Sequence, residues 1–314
     1  MQTRTIAASV ACGPPVTDPA HSCWICGADA APDTRYAGLP LVRCGACGFL
    51  FAPVASAEEL HRLYTTEYFD AYPGGQAYDA DEVQRRHEAA VRLGWLRRYA
   101  AGGRLLEVGS ASGWFLGQAR DAGFTVEGIE PATDVAYAAS ARWDVPVQAA
   151  TAETASLPEG ELDVVVAWHA LEHIAMPTGV MGRLHAALRP GGLLLIEVPN
   201  VESAASRAQG AGWFHLDLAH HVGHYAPATL ADLLQRTGFT PVQVDTFPSA
   251  GYLRPDLARS PRAIAWQLKQ AVQDRASPRA PHPTRHEMLR AVAVKGAAFE
   301  GAASQSDAPP RADP

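Results

Sequence analysis

The chain has 314 residues, of which 47% are hydrophobic and 19% are charged, with a net charge of −7 at pH 7. This length is enough for one large α/β domain and a small additional module. The acidic balance argues against a nucleic-acid partner, because a phosphate backbone favours a basic protein face. No apolar run approaches the length of a membrane span, so we expect no membrane partner.

The two ends of the chain carry no sign of a packed structure. Residues 1–21 lack the continuous apolar core of a secretory signal, so we predict a flexible leader and a cytoplasmic location. Residues 297–314 are small, polar and rich in proline, which predicts a disordered tail.

Four of the five cysteines form two Cys-x-x-Cys pairs, Cys23 with Cys26 and Cys44 with Cys47, separated by seventeen residues. A glycine follows each pair, and a tight turn there lets backbone N–H groups point at the sulfurs. The spacing suits a tetrahedral Zn²⁺ site filled by four thiolates, which would be structural. Two disulfides or a redox pair are the alternatives, and a cytosolic setting disfavours disulfides. We predict a four-cysteine zinc module over residues 22–54.

Residues 55–100 are predicted to form a helical lid or linker. Ser56 and Glu59 have the spacing of a capping box, which predicts a helix over residues 57–64. The following stretch, residues 63–72, is rich in aromatic side chains, for which core packing is the simplest interpretation. A long polar helix with an apolar stripe is predicted over residues 80–99.

The stretch that begins at residue 104 predicts a buried strand, a glycine turn and a helix. Leu105 and Leu106 belong to the apolar run of a strand covered on both faces. Gly109 and Gly113 bracket a turn where the backbone can approach a ligand closely, since glycine has no Cβ. Glu107 precedes the turn, and its carboxylate would repel a phosphate but attract an ammonium or a sulfonium group.

Strands and helices then alternate, which is typical of a doubly wound parallel sheet. The predicted strands are residues 104–109, 125–129, 145–148, 162–168, 192–198, 241–246 and 289–295. The predicted helices are residues 113–122, 134–142, 179–188, 229–237 and 259–275.

Four motifs in this order resemble those of class I S-adenosylmethionine (SAM) methyltransferases. They are the turn Glu107-x-Gly109-x-x-x-Gly113, the strand of residues 125–131, and the segments 163–173 and 188–199. The resemblance implies an α/β fold over residues 101–296: a Rossmann-like seven-stranded methyltransferase sheet with helices on both faces, whose seventh strand is antiparallel. It also implies that the aromatic segment before the sheet acts as a lid over the cofactor.

The resemblance also implies where SAM binds. Glu130 lies about twenty residues past the first glycine, the spacing at which an acid meets the ribose hydroxyls. Glu153 lies where the family contacts adenine, although a solvated surface acid is an equally simple interpretation. Trp168 and His169 are expected to border the sulfonium. The full set of predicted SAM-binding residues is Glu107, Gly109, Ser110, Ala111, Gly113, Glu130, Pro131, Ala152, Glu153, Trp168 and His169.

Residues 213–225 carry four of the twelve histidines. Imidazole and carboxylate groups can bind a metal there, but substrate recognition or proton transfer is favoured. The four-cysteine module is similar to that of sugar C-methyltransferases, in which a Glu-His pair at this place supplies the base. Here the pair is His220-His221, so His221 matches the base and His220 replaces the glutamate. His169 and His173 are further base candidates, with a structural role as the simpler interpretation of His173.

The sequence thus predicts a SAM-dependent methyltransferase, similar to the shorter relatives of the sugar C-methyltransferases. Its expected acceptor is a small hydroxylated or glycosylated metabolite, such as a natural product or an activated sugar. The alternative is a non-catalytic SAM-fold module that binds or assembles partners through its zinc unit. The expected cofactors are SAM and a structural Zn²⁺.

Overall fold

The computed structural model describes residues 21–53, 60, 69, 78–248 and 286–296. The predicted leader up to residue 20, the helix at 57–64 apart from residue 60, the helix at 259–275, and the tail from residue 297 lie outside these ranges. So does most of the aromatic segment at 63–72.

The N-terminal module is a small antiparallel sheet. Its four consecutive strands are β1 (His21–Ser22), β2 (Asp29–Pro32), β3 (Val42–Cys44) and β4 (Leu50–Phe51). Each strand pairs with the next, and the two Cys-x-x-Cys turns lie side by side at one end of the sheet. Strand β4 is short, because only Leu50 and Phe51 pair with β3.

The long helix α1 (Glu82–Leu96) leads into the main domain. Its first turn is capped by Asp81, whose side chain accepts a hydrogen bond from the N–H of Gln84 at 3.0 Å. Trp95 and Leu96 are buried against the first strand of the large sheet. This packing fixes α1 across one face of that sheet, as the apolar stripe predicts.

The remaining elements alternate along the chain much as predicted. In order they are β5 (Gly103–Val108), α2 (Trp114–Asp121), β6 (Phe124–Glu130), α3 (Thr133–Trp143), β7 (Val147–Ala149), β8 (Leu162–Trp168), α4 (Pro177–Ala187), β9 (Leu188–Pro199), α5 (Ala204–Gln209), β10 (Gly223–His224), α6 (Pro227–Arg236), β11 (Phe239–Phe247) and β12 (Met288–Lys295).

Seven of these strands form one mixed sheet in the order β11-β12-β9-β8-β5-β6-β7. Strands β5 to β9 run parallel, whereas β12 lies antiparallel between β9 and β11. Successive residues face opposite sides: Leu105 packs with α1 and α2, and Leu106 packs with α4 and α6. The predicted fold, with helices on both faces, is confirmed.

Residues 200–226 contain regular structure where no helix or strand is predicted from the sequence. This segment contains the short helix α5 and the strand β10, which pairs antiparallel with β4 of the N-terminal module. Gly223 lies opposite Phe51, and the N–H of Ala52 donates to the carbonyl of Val222 at 2.9 Å. The histidine-rich segment therefore supplies the fifth strand of the small sheet.

Aromatic packing reinforces this junction. The ring of Phe49 lies 5.2 Å from that of Tyr225 and 5.6 Å from that of Phe51, and all three side chains are buried. Cys23 and Cys44 belong to the same continuous apolar core as Leu106 of the large sheet. The cysteine module and the main domain thus share one core. Among the residues described, no helix is long and apolar enough to cross a membrane.

Candidate active site

The glycine turn after β5 is held in a left-handed conformation that glycine adopts without strain and that other residues rarely adopt. Gly109 has φ +71° and Gly113 has φ +75°. A Cβ on Gly109 would lie 3.0 Å from the Cβ of Ala170, and a Cβ on Gly113 would lie 2.7 Å from Cδ1 of Trp143. Packing against the protein itself therefore already requires both glycines.

Glu130 closes the same turn from the end of β6. One carboxylate oxygen accepts the N–H of Ala111 at 2.9 Å, and the other accepts the N–H of Ala132 at 3.0 Å. Burial raises the pKa of Glu130 to about 7, although both hydrogen bonds oppose that shift. Glu130 thus orders the turn, and its predicted contact with the ribose hydroxyls, beside Pro131, stays a prediction.

A pocket opens at the carboxyl edge of the sheet between this turn and α1. Its lining residues are Tyr78, Arg85, Glu88, Ala89, Arg92, Glu107, Gly109, Ser110, Ala111, Ser112, Trp114, Phe115 and Trp168. It therefore contains five of the eleven residues predicted to bind SAM, namely Glu107, Gly109, Ser110, Ala111 and Trp168.

Three buried polar atoms in this pocket have no hydrogen-bond partner within the described part of the chain. They are Oε2 of Glu107, Oγ of Ser110 and Nε1 of Trp168. Buried polar groups are normally satisfied, so these atoms fit a polar ligand. Burial raises the pKa of Glu107 well above its usual range, and Arg92 opposes that shift. A carboxyl acceptor and two donors match the ammonium and carboxylate groups of a bound amino acid.

Asp79 holds the chain before α1 against the turn. Its Oδ1 accepts hydrogen bonds from Oγ of Ser112 at 2.7 Å and from Nε1 of Trp114 at 3.0 Å. Ser112 therefore does not cap helix α2, whose N-cap is Gly113 with no side-chain hydrogen bond. The sequence analysis missed Asp79, since nothing in its neighbourhood suggests a partner thirty residues away.

Ala152 and Glu153 lie in the turn after β7. Ala152 is buried in the core and Glu153 is half-buried. Neither lines the pocket, and their contact with adenine stays a prediction.

His169 lies directly after β8 and is held between two carboxylates. Its Nδ1 is 3.1 Å from Oε1 of Glu172, and its Nε2 is 3.1 Å from Oε1 of Glu197. Burial lowers the pKa of His169, but the two carboxylates outweigh it and raise this pKa to about 9. Because both ring nitrogens carry protons and donate them, His169 is not suited to accept a proton from a substrate.

Glu172 and Glu197 are the important residues that the sequence analysis overlooked. Both are fully enclosed, and Glu197 also accepts from Arg290 at 2.8 Å and from Arg92 at 3.4 Å. Burial raises the pKa of Glu172, but His169 outweighs it and brings it to about 2. The signal available in the sequence was an acid within the otherwise apolar strand β9, because such an acid requires buried partners.

His173 and His221 form an imidazole pair beside Glu172. The two ring centroids are 4.7 Å apart in a T-shaped arrangement. Each Nδ1–H donates to a backbone carbonyl, that of His220 for His173 at 3.1 Å and that of His215 for His221 at 2.8 Å. In each ring this tautomer leaves the lone pair on Nε2. Burial lowers the pKa of His173 to about 3, so its imidazole is neutral.

The other histidines of this segment have different surroundings. Nδ1 of His220 is 3.0 Å from Oδ2 of Asp217 and does not join the pair. Burial lowers the pKa of His215 and of His224 to about 3, which leaves both rings neutral.

The four predicted cysteines are brought together in the N-terminal module. Sγ of Cys23 is 3.5 Å from that of Cys47, and Sγ of Cys26 is 3.4 Å from that of Cys44. None of the four forms a disulfide. Backbone N–H groups of Ala46 and Cys47 donate to Sγ of Cys44, and they outweigh the effect of burial and lower its pKa to about 7. By contrast, burial raises the pKa of Cys23 and of Cys47.

Known proteins with similar sequences and structures agree with this architecture. Residues 81–244 match the family described as "Methyltransferase domain". A stretch of 193 residues is 26% identical to a "Probable S-adenosylmethionine-dependent methyltransferase" of Mycolicibacterium smegmatis, covering 60% of this chain and 72% of that protein.

Solved structures share the fold. A possible histamine N-methyltransferase of Thermotoga maritima is 18% identical, with 73% of this chain and 98% of that chain covered and a TM-score of 0.52. Phosphoethanolamine N-methyltransferase 2 of Haemonchus contortus, in complex with SAM, is 18% identical and has a TM-score of 0.50. The match covers 78% of this chain and 61% of that chain. At these identities the likeness concerns the fold alone.

The sheet order, the glycine turn and the pocket define a class I SAM-dependent methyltransferase. Because the family match spans more than half of its length, the chain belongs to the methyltransferase family. SAM is its methyl donor, and the predicted class of enzyme is confirmed.

A first prediction concerns the glycine turn. Gly109→Val places a branched side chain at φ +71° against Ala170, and we expect SAM affinity to fall about tenfold or more. Gly94→Ala is the matched control, since its Cβ would meet open space within α1. Titration calorimetry measures both. Unchanged SAM affinity in the valine variant would contradict a binding role for this turn.

A second prediction concerns the charge on His169. Because its pKa is raised from 6.5 to about 9 in the folded state, its contribution to stability is complete below pH 6.5 and is lost as pH rises through 9. The free energy of unfolding should therefore decline by about 1–3 kcal/mol over this range. His169→Asn, which tolerates the same backbone conformation, should lack this decline in melts recorded across pH. Parallel curves for the two proteins would contradict the ion-pair assignment.

Proposed function

We propose that this methyltransferase acts on a small hydroxylated or glycosylated acceptor, bound between the SAM pocket and the imidazole pair of His173 and His221. The observation that carries the proposal is the continuity of the loop after β8. Trp168 lines the SAM pocket, and Glu172 and His173 follow within five residues in the 3₁₀ turn that borders the pair. We therefore place a compact acceptor between the two.

Charge distribution supports an acceptor that is itself uncharged or weakly polar. The charge of His169 is neutralised by Glu172 and Glu197. The neighbouring rings of His173, His215 and His224 have lowered pKa values and are neutral. This surrounding supports hydrogen bonding to hydroxyl groups.

SAM supplies an electrophilic methyl group, so the chain mainly has to align the acceptor in line with it and accept its proton. We assign the proton to Nε2 of His221. Its Nδ1–H is fixed by the carbonyl of His215, which leaves Nε2 as the basic atom. The acceptor oxygen or carbon gains the methyl group, the sulfur–methyl bond breaks, and the acceptor's proton passes to His221.

The similarity to sugar C-methyltransferases supports His221 as the base. His221 stands at the position of their base, and His220 stands at that of their glutamate. Here His220 is paired with Asp217 rather than with His221, so it does not supply the missing carboxylate. A carboxylate oxygen of Glu172, which comes from another element, lies within 4.8 Å of a ring nitrogen of His221.

A third prediction tests the function. Purified protein with SAM should release S-adenosylhomocysteine in the presence of a small hydroxylated or glycosylated acceptor. His221→Ala should slow this turnover by about a hundred- to ten-thousand-fold, because a general base is lost, while SAM affinity is kept. His221→Gln should not restore turnover, since an amide cannot take the proton.

The matched control is His220→Ala, which removes a neighbouring imidazole outside the pair and should stay within about threefold of the native rate. Near-native turnover in both His221 variants would assign proton removal to another residue. Methylation of nucleic acid or protein in place of small molecules would contradict the proposed acceptor class.

We also propose that Cys23, Cys26, Cys44 and Cys47 hold one structural Zn²⁺. The four sulfurs lie within 4.8 Å of one another, and four thiolates fill a tetrahedral site with no position left for substrate. The residues present therefore fit the metal. Its role would be to stabilise the small sheet, whose last strand is β10.

A fourth prediction follows from the pairing of β4 with β10. Cys23→Ser should lose the metal and loosen β4, so amide hydrogens at residues 222–224 should exchange at least tenfold faster. Residues 105–108 in the middle of the large sheet should keep their protection and serve as the internal control. Metal analysis should give about one zinc fewer per chain. The structural role of Zn²⁺ would be contradicted if native protein contained no zinc, or if amide hydrogen exchange at β10 were unchanged in the variant.

A further inference from the structure

We infer that Glu172, His173 and His221 form a second metal site, distinct from the four cysteines, which takes a divalent first-row transition ion. One carboxylate oxygen of Glu172 and one ring nitrogen of each histidine lie within 4.8 Å of one another. Two ligands of the same Zn²⁺ are separated by at most about 4.2 Å, since each bond measures about 2.1 Å. Small side-chain rotations therefore bring all three into coordination.

The carboxylate carries the first argument. Glu172 is 1% exposed, and its Oε1 accepts from His169. Its Oε2 has no hydrogen-bond partner among the residues that the structure describes. Leaving a buried charged oxygen unsatisfied costs more than leaving a neutral one, so this oxygen requires a cationic or donating ligand. The two histidines cannot donate to it through Nδ1, because those protons are given to backbone carbonyls.

The imidazoles carry the second argument. A histidine that binds a metal normally donates its other ring N–H to a carbonyl or carboxylate, which fixes the tautomer and the ring orientation. Both His173 and His221 show this arrangement, with Nδ1–H donated to the carbonyls of His220 and His215. The oxygen Oε1 of Glu172 is fixed in the same manner by His169. Each of the three ligands therefore has its own supporting partner.

The donor set indicates the kind of ion. Two imidazoles and one carboxylate are the protein ligands of catalytic Zn²⁺ sites, which keep a further position for water or substrate. Imidazole also suits other first-row ions, whereas Mg²⁺ and Ca²⁺ favour all-oxygen ligands. This site thus differs from the four-cysteine site, whose ligands leave no open position.

The open position gives the site a use in the reaction, and this step rests on the proposed function. A hydroxyl of the acceptor that binds the ion has a lowered pKa and loses its proton more readily. With the ion bound, Nε2 of His221 would be a ligand and the proton of the hydroxyl would pass to bulk water, so direct proton acceptance by the ring applies to the protein without the ion. The favoured acceptor is then one whose hydroxyl or enol oxygen can bind a metal.

The test measures metal binding without any acceptor. Full-length protein is washed with EDTA, its remaining zinc is counted, and Zn²⁺ is then titrated by calorimetry. We expect one added Zn²⁺ per chain in native protein and in His220→Ala, whose imidazole lies outside the cluster. In Glu172→Gln and His221→Gln, affinity should fall at least tenfold.

Calorimetric SAM binding shows that each variant is folded, and His221→Gln carries the test if Glu172→Gln does not fold. The inference would be overturned if native protein bound no added Zn²⁺. It would also be overturned if both glutamine variants bound Zn²⁺ as tightly as native protein does. Loss of the four-cysteine metal in Cys23→Ser should leave this second binding event in place. Zn²⁺ binding without methyl transfer to any small acceptor would count against the proposed function and in favour of the metal site alone.

Discussion

The arrangement of the site depends on satisfying one buried carboxylate, that of Glu197. It is fully enclosed at the carboxyl end of β9 and is bound by Arg290 of β12, Arg92 of α1 and His169 after β8. An enclosed charge is costly unless opposite charges and hydrogen bonds surround it. The same requirement therefore joins the antiparallel strand, the helix over the SAM pocket and the loop after β8. His169 in turn binds Glu172 through its other ring nitrogen, so the position of Glu172 also depends on Glu197.

The small sheet constrains the acceptor side in a similar way. The segment that carries His221 has little regular structure, yet it ends in a strand that completes the sheet of the cysteine module. Hydrogen bonds from β4 and the ring of Phe49 hold that end in place. The cysteine module is therefore what holds the end of the segment that carries His221.

Sequence reasoning succeeded where a pattern is local. The apolar run at Leu105 and Leu106 predicts a buried strand by itself, and the two Cys-x-x-Cys pairs predict their own meeting. It failed where a partner is distant. Strand β10 consists of Gly223 and His224, which have no strand propensity, and only pairing with β4 makes them a strand. The partners of His169 likewise depend on sheet register, since Trp168 lies opposite Glu197.

The pairing of β4 with β10 also affects how the chain is made. Strand β4 is synthesised early, whereas its partner follows more than half of the chain later. Until then one edge of the small sheet offers unpaired backbone groups to any other extended segment. Contacts between such distant parts of the chain form slowly, because a long loop must close first. A newly made chain thus passes through a period in which its cysteine module is ready to associate with the wrong strand.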